Sequence, residues 1–231
     1  MIRINNISKT YGNTIALSDI SFNINKGEIV GLLGVNGAGK STLMKILSGI
    51  IAPDSGTVNI MDNDLSKNPI EIKKHIGYLS ENNPLYEDMY VLEYINYVAQ
   101  IYDVDRSRLE SFIHTVGLEK EATKKIGSLS KGNRQRVGIA QAILHNPDFL
   151  ILDEPSNGLD PNQRKTFNDL FVELSEDKAI LFSTHQFQEV QDICTRYILI
   201  HQGKIVADKA KSEINAVKET FYILTNEDSS R

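Results

Sequence analysis

Glycine, lysine and hydroxyl side chains are concentrated in residues 34–42, which read Gly-Val-Asn-Gly-Ala-Gly-Lys-Ser-Thr. This spacing fits G-x-x-x-x-G-K-[ST], in which glycines let backbone N–H groups turn toward phosphate oxygens without Cβ clashes. Lys40 would reach the β and γ phosphates of a nucleotide, and the Ser41 hydroxyl would contact Mg²⁺. A glycine turn with an incidental lysine is the alternative, but the strand-like run before and the helical pattern after these residues favour phosphate binding. The residues predicted to bind the nucleotide here are Asn36, Gly37, Ala38, Gly39, Lys40, Ser41 and Thr42.

Two acidic side chains directly follow the apolar run FLIL at 149–152. A buried strand exposes its carboxyl end at the ligand edge of a parallel sheet, so Asp153 would hold Mg²⁺ there, directly or through water. Glu154 would orient and polarise an attacking water, which indicates hydrolysis rather than transfer to a second substrate. An acidic turn before Pro155 is the alternative, and the phosphate loop upstream favours the catalytic interpretation.

A histidine and a tyrosine could complete such a site. His185 follows the next apolar strand, ILFS, and a parallel neighbour would place it at the same edge as Asp153. Its imidazole could then hydrogen-bond the γ-phosphate and the water, although a lone histidine at a strand end is often only an exposed polar residue. Tyr11 could stack on adenine, but the sequence alone favours a packing tyrosine. The predicted catalytic residues are Glu154, His185 and Lys40.

The elements that must position these residues are a sheet and its flanking helices. Alternation in IRINNIS and SDISFNIN predicts strands, the latter with Ile20, Phe22 and Ile24 on one face. After residue 146, unbroken apolar strands alternate with amphipathic helices, which predicts a parallel sheet covered on both faces. A hairpin at Gln202 and Gly203 ends this part, and the polar NEDSSR is expected to be frayed.

The middle of the chain has a different pattern. Residues 91–102 carry apolar side chains at helical spacing, and residues 108–116 and 131–145 are also predicted to be helical. This mostly helical insert lies between HIGYL and NPDFLILDEP. The apolar positions in its first helix are Leu92, Ile95, Val98 and Tyr102.

Bulk composition excludes some classes of partner. The net charge of −5 gives no overall basic field that would attract nucleic acid or an anionic membrane. The longest apolar runs are far shorter than the roughly twenty residues of a membrane span, so another chain would have to hold the protein at a membrane. Cys194 is a lone cysteine in a helical segment and is predicted to be a buried apolar residue, in a chain that fits a reducing compartment.

Five segments occur in an order known from one family. They are the phosphate loop, LSKGNRQR, FLILDEP, SNGLD and STH. Ser130 precedes Asp153 by 23 positions, and His185 follows Asp153 by 32 positions. Over almost the whole chain they resemble the nucleotide-binding domain of ATP-binding cassette (ABC) transporters. The resemblance implies an α/β phosphate-loop NTPase of ABC type, with a mixed-sheet core, an antiparallel β subdomain and an inserted α-helical subdomain. It implies a single domain, 1–231, with the core at about 1–81 and 146–215, the helical subdomain at about 82–145 and a short tail at 216–231.

The resemblance also implies roles and partners. ATP and Mg²⁺ would be the cofactors, Tyr11 would stack on adenine, and His185 would be the switch histidine. Residues 129–136 open a helix whose start favours an anion, and the family implies whose phosphate it meets. In the family two copies associate head to tail, so Ser130 and Gly132 would contact the γ-phosphate held by Lys40 of the other copy, and residues 158–160 would lie in a dimer-contacting loop. The resemblance implies two kinds of partner: a second ATP-binding subunit, in a homodimer, and transmembrane permease subunits. The chain would be peripheral at the cytoplasmic face of the membrane.

Three positions depart from the family pattern. Asn133 replaces a glutamine and Lys131 replaces a glycine in the segment around Ser130. Glu81 stands where the family usually has a glutamine that touches Mg²⁺ and the membrane subunit, and a carboxylate could still ligate Mg²⁺. Glu81, with NPLYEDMYVLEYI after it, resembles the branch serving ABC-2 type exporters, closest to the gliding-motility-associated ATPase group. In this region Tyr86 and Met89 are the candidates for contact with a membrane subunit, the alternative being a helix that buries one tyrosine-lined face.

Other functions remain as alternatives. A non-transport ABC ATPase could act on DNA or the ribosome, but the insert is too short for a long coiled coil, the chain holds one cassette, and its net charge is acidic. A GTPase or kinase would have no use for LSKGNRQR and STH. A catalytically inactive cassette is disfavoured by the presence of Glu154 and His185.

Overall fold

The structure, a computed structural model, describes residues 1–228, and the side chains of residues 1–224 other than those of Arg108 and Val190. The strands are β1 Ile2–Tyr11, β2 Thr14–Ile24, β3 Ile29–Leu33, β4 Ser55–Ile60, β5 Asn63–Asp64, β6 Ile76–Leu79, β7 Phe149–Asp153, β8 Ala179–Thr184, β9 Arg196–His201 and β10 Lys204–Ala210. The helices are α1 Lys40–Leu47, α2 Pro69–Lys73, α3 Val91–Ile101, α4 Leu109–Thr115, α5 Lys131–Ile143, α6 Pro161–Ser175, α7 Phe187–Gln191 and α8 Ile214–Asp228.

The larger sheet has six strands in the order β10-β9-β3-β8-β7-β6. Every neighbouring pair is parallel except β10 with β9, the hairpin predicted at Gln202 and Gly203. All residues of β3, β7 and β8 are buried, as expected for parallel strands covered on both faces. The carboxyl ends of these three strands therefore meet at one edge, where Asp153 pairs with Ser183 and Leu33 pairs with Thr184.

The smaller sheet is antiparallel, with the order β2-β1-β4-β5. Ile20, Phe22 and Ile24 are buried on one face of β2, which confirms the predicted alternation. This sheet packs directly onto the loop between β3 and α1. A Cβ atom on Gly39 would lie only 2.6 Å from the carbonyl oxygen of Ala16 in β2.

Helices α3, α4 and α5 lie between β6 and β7, where the helical insert is predicted. Helix α3 buries Ile95 and Val98 of the apolar stripe, whereas Leu92 of that stripe is 40% exposed. Val91 and Tyr94 are buried in its place. The apolar stripe is offset because Tyr94, whose hydroxyl donates to Gln141 of α5, occupies the position facing the core.

The chain after β10 forms a helix rather than only a short tail. Val217 and Phe221 of α8, four residues apart on one face, are buried in the same core cluster as β9 residues. Cys194 is fully buried in that cluster, and burial raises the pKa of its thiol, consistent with a packing role. Residues 229–231, the end of the stretch expected to be frayed, lie outside the described residues. Within residues 1–228, no helix is both long enough and apolar enough to cross a bilayer.

Candidate functional site

The loop between β3 and α1 has the backbone shape expected of a phosphate cradle. Gly37 and Gly39 have φ angles of 81° and 111°, which side chains with a Cβ rarely adopt. Asn36 and Gly37 are exposed, so their backbone groups can meet a ligand from solvent. Helix α1 begins at Lys40 and directs its N-terminal end at the same place.

Lys40 is held inside its own loop. Its side chain is buried, and Nζ donates to the carbonyl oxygens of Gly34 at 2.6 Å and Val35 at 3.2 Å. Burial lowers the pKa of the amine, while the nearby carboxylates of Glu154 and Asp153 oppose that shift. The ammonium thus lies next to both acids at the sheet edge, and an arriving phosphate would offer it stronger acceptors than carbonyl oxygens.

The three predicted metal ligands share one cavity. Ser41, Asp153 and Glu81 all line a space of about 360 Å³ beside α1. Asp153 is buried and accepts a hydrogen bond from the Ser183 hydroxyl at 2.5 Å, which fixes its orientation. Hydroxyl and carboxylate oxygens suit Mg²⁺, which usually takes few protein ligands and completes its shell with phosphate and water. Among the described residues, no group of three or more His, Cys, Asp or Glu side chains forms a protein-only metal site.

Glu154 and His185, two of the residues predicted to be catalytic, lie together at one edge of the sheet. The two side chains are joined by a 2.9 Å hydrogen bond between Glu154 Oε1 and His185 Nδ1. Glu154 is only 5% exposed, and its backbone has a left-handed φ of 51°. Such strain in a non-glycine residue is typical of functional sites. Burial raises the pKa of the Glu154 carboxyl, although its bond to His185 opposes the shift.

Tyr11 lies at the end of the β1–β2 hairpin and is half exposed. It pairs with Thr14, two residues before the Ala16 carbonyl that packs on Gly39. The Lys9 ammonium lies 5.8 Å from the centre of the Tyr11 ring. An exposed aromatic ring on a hairpin that touches the phosphate loop is in a suitable place to stack on a nucleotide base.

The segment around Ser130 is positioned separately. The Ser130 hydroxyl caps α5 by accepting from the backbone N–H of Asn133 at 3.2 Å, and the residue is exposed. Gly132 is buried, and a Cβ atom there would lie 2.8 Å from the Gly158 carbonyl oxygen. As far as the described chain shows, neither Ser130 nor Gly132 lines the cavity next to Ser41.

The two arginines of this segment have structural partners within the chain. Arg134 forms an ion pair with Glu87 at 3.2 Å. Arg136 donates to the Gly117 carbonyl oxygen at 2.8 Å. Their charges are therefore engaged in holding α5 to the rest of the helical insert.

Three buried polar residues near the site were missed by sequence analysis. Gln135 of α5 donates from Nε2 to the Pro155 carbonyl oxygen at 3.0 Å, so it links α5 to the turn that carries Glu154. Thr184 and Glu189 are hydrogen-bonded to each other beside Glu154. No local pattern indicates these contacts, because each joins residues from different elements. The only available signal was the polarity of Gln135 on the buried face of α5.

Replacing Gln135 with leucine should destabilise the protein by about 1–3 kcal/mol, because the buried Pro155 carbonyl would lose its donor. Chemical denaturation would measure the change. Gln100→Leu, the same substitution at an exposed position of α3, is the matched control and should stay within about 0.5 kcal/mol of wild type. Equal stability of the two variants would show that the Gln135 bond does not hold the turn.

The sequence of this chain is similar to those of known ATP-binding proteins of transporters. The family model described as ABC transporter matches residues 17–157. The ABC transporter ATP-binding protein NatA of Bacillus subtilis is 37% identical over 83% of this chain and 80% of its own length. The bacitracin transport ATP-binding protein BcrA of Bacillus licheniformis is 35% identical over 90% of this chain and 69% of its own.

One solved structure matches the fold of this chain over most of its length. It is the dimeric structure of a post-hydrolysis state of the ATP-binding cassette MJ0796 bound to ADP and Pi. The match has a TM-score of 0.85 with 26% identity and covers 91% of this chain and 99% of that one. The family match, the relatives and this fold together show that the chain belongs to the ABC transporter family, as an ATP-binding and ATP-hydrolysing subunit with the ABC type of phosphate-loop fold.

Proposed function

We propose that two copies of this chain associate head to tail and hydrolyse ATP at two composite sites to power an exporter-type transporter. One observation carries the proposal. Lys40, Asp153, Glu154 and His185 meet at one sheet edge, whereas Ser130 is exposed at the start of α5 and does not line the cavity there. A second copy related by a two-fold axis would supply its Ser130 to this edge and receive one in return.

Within each site the residues would have separate roles in binding and hydrolysis. Backbone N–H groups of residues 36–42 would hold the phosphates, and Lys40 would move from its carbonyl acceptors to the γ-phosphate. Glu154 would orient the attacking water and accept its proton as the new bond to phosphorus forms and the bond to ADP breaks. His185 would hold Glu154 and donate toward the γ-phosphate. Tyr11 would stack on adenine.

Mg²⁺ fits the oxygen-lined cavity, and when bound it would neutralise charge on the phosphates. Ser41 and Asp153 are the proposed ligands, with Glu81 as a third. Asp153 is suited to this role because Ser183 already fixes its carboxylate. Glu81 is exposed at the cavity rim, where a carboxylate remains open to a cation.

The proposed membrane partner is a permease, with the chain peripheral at the cytoplasmic face. A relative named for bacitracin transport supports a transporter role. Glu81 and the segment after it are the features on which we propose the ABC-2 exporter branch and, within it, the gliding-motility-associated group. Tyr86 is 57% exposed and is braced edge-on by Tyr94 and Tyr97, each with ring centres 5.9 Å away. Met89 is partly buried against the core, and its backbone N–H donates to the Tyr86 carbonyl oxygen at 3.1 Å, so Tyr86 would present the larger part of the contact surface.

Mixing two inactive variants would test the composite site. Ser130→Asp keeps a side chain that can cap α5 but adds a negative charge facing the γ-phosphate, so alone it should be inactive. Lys40→Ala should also be inactive alone. Together they should regain ATPase activity, because a mixed dimer has one site with an intact Lys40 from one chain and an intact Ser130 from the other.

Two controls accompany the mixture. Ser130→Asn caps the helix without the charge and should lose far less activity than Ser130→Asp. Lys40→Ala mixed with Glu154→Gln should stay inactive, because both defects fall in the same half of the site. A mixture of Lys40→Ala and Ser130→Asp that forms mixed dimers but remains inactive would rule out the head-to-tail arrangement.

A further inference from the structure

The Thr184 hydroxyl lies between two buried carboxylates at the end of β8. Its oxygen is 2.7 Å from Glu189 Oε2 and 3.5 Å from Glu154 Oε2. The same oxygen accepts a hydrogen bond from the backbone N–H of Gln186 at 3.0 Å. A hydroxyl has one proton to donate, so the two carboxylates compete for it.

The distances decide this competition. At 2.7 Å the bond to Glu189 is short and strong, whereas a 3.5 Å separation is at the limit for any hydrogen bond. The proton of Thr184 therefore points to Glu189. Glu154 is left with Oε1 bonded to His185 and with Oε2 open to an approaching water.

The second carboxylate oxygen of Glu189 has a partner of its own, Arg164. It is 6% exposed on α7, and its Oε1 lies 3.8 Å from a terminal guanidinium nitrogen of Arg164 on α6. The charged groups around Glu154 and Glu189 are thus Lys40 from the phosphate loop, Asp153 from β7, His185 after β8 and Arg164 from α6. A buried carboxylate needs such partners, because an unpaired one is strongly disfavoured.

We propose that Glu189 is a positioning residue for ATP hydrolysis: it keeps the Thr184 proton away from Glu154 and so leaves Oε2 of Glu154 open to the attacking water. This inference rests on the proposed role of Glu154 as the residue that orients that water. Glu189 itself touches neither nucleotide nor water in this scheme.

The substitution Glu189→Gln has a definite consequence at the level of atoms. Arg164 donates and cannot accept, so the amide oxygen must face Arg164 and the amide nitrogen must face Thr184. That nitrogen donates to the Thr184 oxygen, and the Thr184 proton then turns to Glu154 Oε2. We expect kcat to fall about tenfold or more, the effect of a hydrogen bond to a charged group, with KM for ATP changed less than about twofold.

Removing the Thr184 hydroxyl distinguishes a positioning role of Glu189 from a purely structural one. In Thr184→Val there is no proton to redirect, so Glu189→Gln added to Thr184→Val should cause no further loss of kcat. A purely structural role for Glu189 predicts instead that the two losses add. Thr184→Ser keeps the hydroxyl, and adding Glu189→Gln to it should reproduce the full loss.

The assay is steady-state ATPase activity, with affinity for a fluorescent ATP analogue and the thermal unfolding midpoint measured on each variant. Glu173→Gln, at an exposed position of α6, is the matched control and should behave as wild type. If Glu189→Gln does not fold, Glu189→Met tests the same release of the Thr184 proton without a buried amide. The side chain of Arg164 is 39% exposed, so water can still solvate the charge that this substitution leaves without its partner.

The outcomes are distinguishable. Two results would overturn the role of Glu189: a wild-type kcat in folded Glu189→Gln, or losses of kcat that add when Glu189→Gln is combined with Thr184→Val. In either case, slow hydrolysis by Glu154→Gln would leave the proposed function standing. Wild-type hydrolysis by Glu154→Gln would overturn the proposed function and this inference with it. Loss of kcat at unchanged KM, abolished by Thr184→Val, supports the inference.

Discussion

Glu154→Gln should bind ATP, form dimers and hydrolyse ATP about a thousandfold more slowly than wild type, the usual scale for loss of a general base. The amide has nearly the same shape as the carboxylate, and its oxygen can still accept from His185 across the 2.9 Å contact. It cannot accept the proton of water. The phosphate loop and Ser130 are unchanged, so ATP should still join two copies while hydrolysis, which would separate them, is blocked.

Size-exclusion chromatography with and without ATP, together with phosphate release, would measure both effects. Glu110→Gln, at an exposed position of α4, is the matched control and should dimerise only transiently while turning over normally. A Glu154→Gln variant that stays monomeric with ATP and hydrolyses it at the wild-type rate would exclude Glu154 from catalysis. Stable dimers with slow turnover would support both the role of Glu154 and the composite site.

Lys40→Ala should bind ATP about a hundredfold more weakly, because two charge-assisted contacts to phosphate oxygens are lost. The protein should still fold. Among the described residues, the buried ammonium donates to the carbonyl oxygens of Gly34 and Val35, and burial lowers the pKa of the amine. The loss should therefore appear in nucleotide affinity rather than in the stability of the fold.

Equilibrium binding of a fluorescent ATP analogue would test this, with the unfolding midpoint as the check on folding. Lys67→Ala removes a lysine whose side chain is 77% exposed, paired with Asp64, and is the matched control. It should bind as wild type does. Unchanged affinity in folded Lys40→Ala would refute the assignment of residues 34–42 as the phosphate loop.

The parts of the site that sequence analysis predicted depend on short-range rules. The phosphate loop is recognisable because backbone conformation and helix start are set by adjacent residues, and Gly37 and Gly39 do have the left-handed angles that only glycine adopts easily. Asp153 and His185 were placed at one edge because parallel strands end together, and the pairing of Asp153 with Ser183 confirms that reasoning.

The parts that were missed depend on contacts between distant elements. The apolar spacing of α3 allows either Leu92 or Tyr94 to face the core. The structure shows that Tyr94 does, with its hydroxyl bonded to Gln141 of α5. Helix α8 is stabilised by the packing of Val217 and Phe221 against the core, a tertiary effect that local propensity does not contain.

By itself, then, the sequence determined the chemistry available to this protein: a loop for phosphate, two acids after a buried strand, and a histidine after the next. Only the tertiary structure decided how those groups are set for use. The left-handed backbone of Glu154, its bond to His185, and the capture of the Thr184 proton by Glu189 all arise where β7, β8 and α7 meet. Hydrogen-bond direction depends on tenths of an ångström between side chains far apart in the chain, and residue types and spacing do not encode such distances locally.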